Sequence, residues 1–156
     1  MKSRIVVDTS IVMKWVLDEP DSALALTLLT EWVSEGTLIE APGLLTFEIA
    51  NALYQRVRKG EMTVDDAKQA LEDVLLPELE LNFSEYLSLG IRAIELAQQY
   101  GLPATYDAHY LALAERKRCE YWTADTRLWN AIGGKLDWVR LLSDYQNAAH
   151  SITTQH

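Results

Sequence analysis

Short apolar segments alternate with longer stretches of helical periodicity along this chain. The first segment, Ile5-Val6-Val7, is β-branched, shows no polar alternation and ends abruptly at Asp8. A continuous apolar run of this kind is typical of a strand that is buried on both faces, as in a parallel sheet. The predicted strands cover residues 5–7, 37–41, 78–81, 120–123 and 138–142.

Between these segments, apolar residues recur every three or four positions, which predicts amphipathic helices. In the segment 44–58, apolar residues from Leu45 to Val57 share one face, and the helix ends before Gly60. Thr63 and Asp66 resemble a capping box that opens the next helix. The predicted helices cover residues 11–17, 22–34, 44–58, 63 to about 76, a cap within 82–85 continuing to 100, 105–117, and a short segment around Trp129.

The alternation of short strands with helices predicts the α/β class of fold. Because helices outnumber strands, we expect a three-layer α/β/α sandwich around a small, mostly parallel sheet. The chain has 156 residues and no internal repeat or linker, so it suits one domain. We assign that domain to residues 1–146 and expect a frayed tail at 147–156.

Composition narrows the class of protein. Hydrophobic residues make up 49% of the chain, and five of them are Trp, which excludes a disordered chain. No apolar run approaches the roughly 20 residues of a membrane helix, and the acid at position 8 interrupts any signal-peptide core. The single cysteine, Cys119, fits a reducing compartment. These features predict a cytoplasmic protein without a membrane partner.

The formal net charge of −9 argues against broad binding to nucleic acid through phosphate contacts. Local clusters of basic residues can still contact phosphate. An equally valid interpretation is that they are solvated cations at the ends of helices, where the helix dipole favours them. The two clusters are Arg56, Arg58 and Lys59, and Arg116, Lys117 and Arg118.

Four acids stand where a parallel sheet would place a ligand site. Asp8 and Asp125 follow strands, Asp107 opens a helix, and Glu48 lies early in the helix 44–58. Parallel strands gather their carboxyl ends, and their ligands, at one edge of the sheet. Each Asp is also in a position that favours helix capping. Glu48 borders an apolar face, where an unpaired carboxylate would be costly.

Carboxylates gathered in this way need a counter-charge. Two of them about 5 Å apart repel each other by about 3 kcal/mol at an effective dielectric constant of 20. Either some are protonated or a cation lies among them, and ligands that are all oxygen favour Mg²⁺ or Mn²⁺ over zinc. The hydroxyls of Ser10 and Thr123 can orient Asp8 and Asp125, although ordinary turn and cap bonding would explain them equally well.

The motifs around these acids resemble those of the PIN domain family, and especially of its VapC-type toxins from toxin–antitoxin pairs. The resemblance extends from Ile5 to about Leu142. It rests on the motifs Val7-Asp8-Thr9-Ser10, Phe47-Glu48-Ile49-Ala50-Asn51-Ala52, Tyr106-Asp107-Ala108 and Thr123-Ala124-Asp125.

The resemblance implies a Mg²⁺- or Mn²⁺-dependent endoribonuclease. Its acidic site would consist of Asp8, Glu48, Asp107 and Asp125, with Ser10 and Thr123 as the accompanying hydroxyls. The resemblance also implies a homodimer, a small antitoxin protein as partner, and a structured RNA such as tRNA or rRNA as substrate.

Two other classes of function are weighed against this one. A phosphoaspartate receiver requires adjacent acids after the first strand and a late Lys, and an acid-nucleophile phosphatase requires Asp-x-Asp. Asp8-Thr9-Ser10 supplies neither pattern. A non-catalytic protein of the same fold that only binds a partner remains open, although the retained acids argue against it.

Overall fold

The computed structural model describes residues 2–75, 79–82 and 86–145. Five strands form one sheet in the order β3-β2-β1-β4-β5, and every neighbouring pair is parallel. The strands are β1 Arg4–Val7, β2 Leu38–Pro42, β3 Leu79–Asn82, β4 Glu120–Thr123 and β5 Val139–Leu141. Helices flank this sheet, so the predicted α/β sandwich with a small parallel sheet is confirmed.

Seven helices connect or follow the strands in the described part of the chain, close to the predicted bounds, and residues 142–145 form a further helical turn after β5. The seven helices are α1 Thr9–Val16, α2 Ser22–Glu35, α3 Leu44–Arg58, α4 Val64–Leu75, α5 Tyr86–Tyr100, α6 Tyr106–Lys117 and α7 Thr126–Ile132. None of the described helices has the length and apolar character needed to cross a membrane.

The order of the strands creates a crevice beside β1. The chain adds β2 and β3 on one side of β1 and then crosses to add β4 and β5 on the other side. The chain therefore leaves β1 toward one side of the sheet and leaves β4 toward the other side. Open α/β sheets bind ligands at the point between two such strands. In this pair Val7 lies opposite Trp122, so Asp8 and Thr123 follow as neighbours at the carboxyl edge.

Strand β1, which directly precedes Asp8, lies at the centre of the hydrophobic core. Val6 and Val7 of β1 have no exposed surface, and Ile11 and Val12 of α1 are equally buried. Ile39 of β2 is 1% exposed and packs in the same cluster. The apolar run at the start of the chain therefore forms a strand covered on both faces, as its sequence predicts.

Two boundaries differ from the predicted ones for identifiable reasons. Helix α1 begins at Thr9 rather than at position 11, because the Asp8 side chain caps its first turn. Strand β2 continues through Pro42, which lies beyond the last registered pair with β1, so its missing amide hydrogen removes no bond from that ladder. The capping box is confirmed, since Thr63 and Asp66 exchange hydrogen bonds of 3.1 and 3.3 Å.

Three predictions fall outside the described residues. They are the end of the fourth helix near Leu76-Pro77, residues 83–85 of the cap predicted for the fifth helix, and the tail 147–156; Asn82 itself lies in β3.

Candidate active site

Asp8 is held at the carboxyl end of β1 by donors on both of its oxygens. Only 4% of the residue is exposed. Its Oδ1 accepts hydrogen bonds from the Ser10 hydroxyl and from the backbone N–H groups of Ser10 (3.0 Å) and Ile11 (3.3 Å). Its Oδ2 accepts from the hydroxyls of Tyr121 (2.6 Å) and Thr123 (2.5 Å). Burial raises the pKa of Asp8, and these donors oppose that rise because they favour the charged form.

The two hydroxyls singled out in the sequence both serve Asp8. Thr123 is expected to orient Asp125, but its Oγ1 donates to Asp8 and accepts from the Asp125 backbone N–H at 3.0 Å. Ser10 Oγ donates to Asp8 and accepts from the Ala124 N–H at 2.8 Å. The physical reason is that β1 and β4 are adjacent and parallel, so the residues that follow them face each other.

Asp125 fulfils the capping role that was the alternative to a catalytic one. It is the N-cap of α7, and its Oδ1 accepts from the backbone N–H groups of Arg127 at 2.9 Å and Leu128 at 3.4 Å. Asp8 caps α1 in the same manner. Capping fixes the position of each carboxylate beside the crevice, so the two interpretations are compatible for these residues.

Glu48 has the partner that its position in α3 requires. The hydroxyl of Tyr110, on α6, donates to Glu48 Oε1 at 2.6 Å and lies 3.4 Å from Thr9 Oγ1. Burial raises the pKa of Glu48 and the negative charge of Asp8 adds to that rise, whereas the Tyr110 hydrogen bond lowers it. Glu48 is therefore connected to the segment that follows β1, although 40 residues separate them in sequence.

Asp107 lies in the first turn of α6 and feels the other three acids. Burial raises its pKa to about 6, and the negative charges of Asp8, Asp125 and Glu48, in that order, contribute to the rise. Asp107 is therefore within electrostatic reach of Asp8, Asp125 and Glu48, which come from three other segments of the chain.

Two tyrosines complete this arrangement and were not identified from the sequence. Tyr110 and Tyr121 stack with their ring centroids 6.0 Å apart and their planes 13° from parallel. Burial and the adjacent carboxylates raise the pKa of both phenols well above the ordinary value, so both remain protonated donors. The available signal was a Tyr rather than a Phe in a buried segment, because a buried phenol needs a hydrogen-bond partner.

The chemistry of these side chains fits a hard divalent cation. Within residues 2–75, 79–82 and 86–145, no three His, Cys, Asp or Glu side chains form a ready-made metal cage. Mg²⁺ does not require such a cage, because it keeps several waters and commonly binds one or two protein carboxylates. Every charge that shifts the pKa of Asp107 is negative, which is the environment that a cation would relieve.

Stability without metal is expected to fall as the pH rises from about 4 to about 6. Asp107 has a higher pKa in the native state than its ordinary 3.8, so the native state binds more protons across that window. The pKa values of Asp8 and Glu48 are shifted in the same direction. Thermal unfolding in EDTA measures the effect. A melting temperature that rises across the same window would contradict it.

Comparisons with known proteins agree with this architecture. The family model described as "PIN domain" matches residues 5–134. Ribonuclease VapC3 of Pyrobaculum aerophilum is 30% identical over 125 residues, which are 80% of this chain and 92% of that protein.

Solved structures share the fold at low sequence identity. A toxin–antitoxin complex from Klebsiella pneumoniae matches with a TM-score of 0.61 and 18% identity, covering 88% of this chain and 97% of that one. VapBC2 from Rickettsia felis, bound to a DNA fragment from its promoter, matches with a TM-score of 0.56 and 14% identity, covering 82% of this chain and 92% of that one. FitAcB from Neisseria gonorrhoeae matches with a TM-score of 0.55 and 13% identity, covering 81% of this chain and 91% of that one.

The fold, the matched length and the identity together define the class: this chain belongs to the PIN domain family. Within that family its similarity is to the VapC proteins, as the motifs around the four acids predicted.

Proposed function

We propose that this chain is a divalent-metal-dependent endoribonuclease and the toxin of a toxin–antitoxin pair. Membership of the PIN domain family supports this most strongly, and the environment of Asp107 agrees with it. The Asp107 carboxylate is partly buried, its pKa is raised to about 6, and three further acids contribute to that rise. Carboxylates gathered in this way lower the stability of the fold, and groups with strongly perturbed pKa values cluster at functional sites.

In this proposal Asp8, Glu48, Asp107 and Asp125 hold Mg²⁺ or Mn²⁺, one or two of them directly and the others through waters of the ion. The bound ion would supply positive charge to the scissile phosphate and lower the pKa of a bound water. Asp8 acts as a fixed ligand because its oxygens are oriented by hydroxyl groups, including those of Ser10 and Thr123. Hydrolysis adds water to phosphorus and breaks one P–O bond.

The partners follow from the relatives. Ribonuclease VapC3 is named for its activity, and the solved neighbours include a complex of a toxin with its antitoxin. By analogy, we propose a small antitoxin as the regulatory partner and a homodimer as the assembly. The substrate would be a structured RNA, such as tRNA or rRNA, cut at a restricted set of sites. An acidic chain suits such a narrow contact better than general affinity for RNA.

The direct test is cleavage of a panel of tRNA and rRNA by the purified protein with Mn²⁺ or Mg²⁺. We expect cleavage that EDTA abolishes and that Asp125→Asn reduces about 100-fold or more. Asparagine caps a helix as well as aspartate does, so this variant should keep its stability. Asp21→Asn, at the exposed start of α2, is the matched control and should cleave like the wild type.

Cleavage that persists in EDTA, or an Asp125→Asn variant as active as the wild type, would remove the metal-dependent mechanism. No cleavage of any RNA by the wild type would favour the non-catalytic alternative. The antitoxin is tested separately, by whether the product of the adjacent reading frame co-purifies with this chain and suppresses cleavage.

A further inference from the structure

An open cleft of about 530 Å³ adjoins the acids on the side of α3 and α6. It shares Glu48 with the candidate active site, so any group bound there lies beside that site. The residues that line it are Thr9, Leu44, Phe47, Glu48, Asn51, Ala52 and Tyr106. The cleft therefore combines aromatic rings with a hydroxyl, a carboxamide and a carboxylate.

Two of these side chains are large, aromatic and exposed. Phe47 is 68% exposed and Tyr106 is 59% exposed. Each directly precedes one of the acids, Phe47 before Glu48 on α3 and Tyr106 before Asp107 on α6. Core packing does not explain exposed rings, and aromatic residues gathered in one cleft are typical of a binding surface.

The charge of the chain restricts what such a surface binds in RNA. With a net charge of −9, and with carboxylates beside the cleft, phosphate contacts supply little affinity. Stacking of a base on an aromatic ring does not depend on net charge, and every base offers a π-face. The carboxamide of Asn51 and the hydroxyl of Thr9 can hydrogen-bond to the edge of that base.

We propose that Phe47 and Tyr106 form a binding site for an unpaired nucleobase of the substrate RNA. This inference rests on the proposed ribonuclease function and names the two side chains that would hold a base beside the cut. Bases within a duplex already stack on both faces, so only an unpaired base can enter the cleft. A second cleft, between α3 and α4, is lined mainly by aliphatic side chains and better suits an apolar protein segment.

The test measures RNA binding in EDTA, where cleavage cannot interfere. The probe is a single-stranded RNA that contains 2-aminopurine, whose fluorescence is quenched by stacking, and the same RNA annealed to its complement is the duplex comparison. Phe47→Ala and Tyr106→Ala should each weaken binding by about 5- to 150-fold, the loss expected for one stacked base. Tyr106→Phe keeps the ring and should bind within about twofold of the wild type.

A matched control lies on the same helix. Tyr54 is 58% exposed on α3 but lines the aliphatic cleft, so Tyr54→Ala should not change RNA binding. The dependence on salt is a second readout. A site with few phosphate contacts predicts that log K falls with log [salt] with a slope between about −0.7 and −2.

Wild-type binding of the single strand that exceeds duplex binding, and that Phe47→Ala and Tyr106→Ala weaken, would support the site. The inference fails if the wild type binds no single-stranded RNA or if both variants bind as it does. It also fails if Tyr54→Ala loses as much affinity for RNA as Phe47→Ala and Tyr106→Ala do. A third contradicting result is that Phe47→Ala and Tyr106→Ala keep their affinity for RNA and lose only binding to a co-purifying protein. Cleavage by the wild type with Mn²⁺, measured in parallel, separates the two claims. If the wild type cleaves RNA and the two variants bind RNA as it does, only the base site is removed. If the wild type does not cleave RNA but the two variants bind RNA more weakly than it does, only the proposed ribonuclease is removed.

Discussion

Asp107→Asn is expected to lower RNA cleavage by about 1000-fold and, at neutral pH without metal, to stabilise the fold. The activity falls because the variant loses a charged ligand, and three factors of ten correspond to about 4 kcal/mol of transition-state stabilisation. The stability rises because the variant removes a carboxylate whose pKa is raised to about 6 by burial and by three neighbouring acids. After a discount for its partial exposure to solvent, we expect a gain of about 1–2 kcal/mol.

Urea unfolding in EDTA at pH 7.5 measures the stability, and steady-state cleavage with Mn²⁺ measures the activity. Asp137→Asn removes an acid from an exposed position and serves as the control, with both properties unchanged. A variant that loses activity and also loses stability would mean that Asp107 has a structural role that its surroundings do not reveal.

Asp8→Ala is expected to abolish cleavage as well, but with the opposite effect on stability. The substitution leaves the buried hydroxyls of Tyr121 and Thr123 without their acceptor and removes the cap of α1. Each buried group left unpaired costs about 1–3 kcal/mol and a lost cap about 1 kcal/mol, so a loss of about 3 kcal/mol or more is expected.

Asp8→Asn separates the two roles of this residue. Asparagine retains one acceptor oxygen and can cap the helix, so it should recover much of the stability and little of the activity. The experiment is urea unfolding of both variants at one pH in EDTA. Equal stability of Asp8→Ala and the wild type would show that the hydrogen bonds to Asp8 contribute little to folding.

The sequence predicted most of the helices and strands because their ends carry clear chemical markers. Asp8 stops β1 and caps α1, Gly36 ends α2 in a left-handed conformation, and Thr63 pairs with Asp66 at the start of α4. These markers act locally, so a reader of the sequence can identify them. The position of all four candidate acids near strand ends or helix starts could be anticipated for the same reason.

The contacts between distant segments could not be read in the same way. That Thr123 donates to Asp8 depends on the pairing of β1 with β4, and neither the order nor the register of strands is encoded in a local pattern. Tyr110 and Tyr121 have apolar neighbours and resemble core residues until the fold brings their hydroxyls to Glu48 and Asp8.

The exposure of Phe47 and Tyr106 also could not be predicted from the sequence. The helical pattern of α3 and α6 does not show that these two rings remain exposed and line one cleft. The packing of α3 against α1 and β2, and of α6 against β1 and β2, brings them to one cleft. The sequence therefore predicts candidate acids for the site, whereas the tertiary fold identifies the side chains around them.

Isothermal titration of Mn²⁺ into the purified protein and its four acid variants tests the central claim most directly. If the four carboxylates form one site, the wild type binds Mn²⁺ saturably, and Asp8→Asn, Glu48→Gln, Asp107→Asn and Asp125→Asn each weaken binding about 10-fold or more. If the wild type shows no saturable binding, or the four variants bind Mn²⁺ as tightly as it does, the acids do not act as a common metal site.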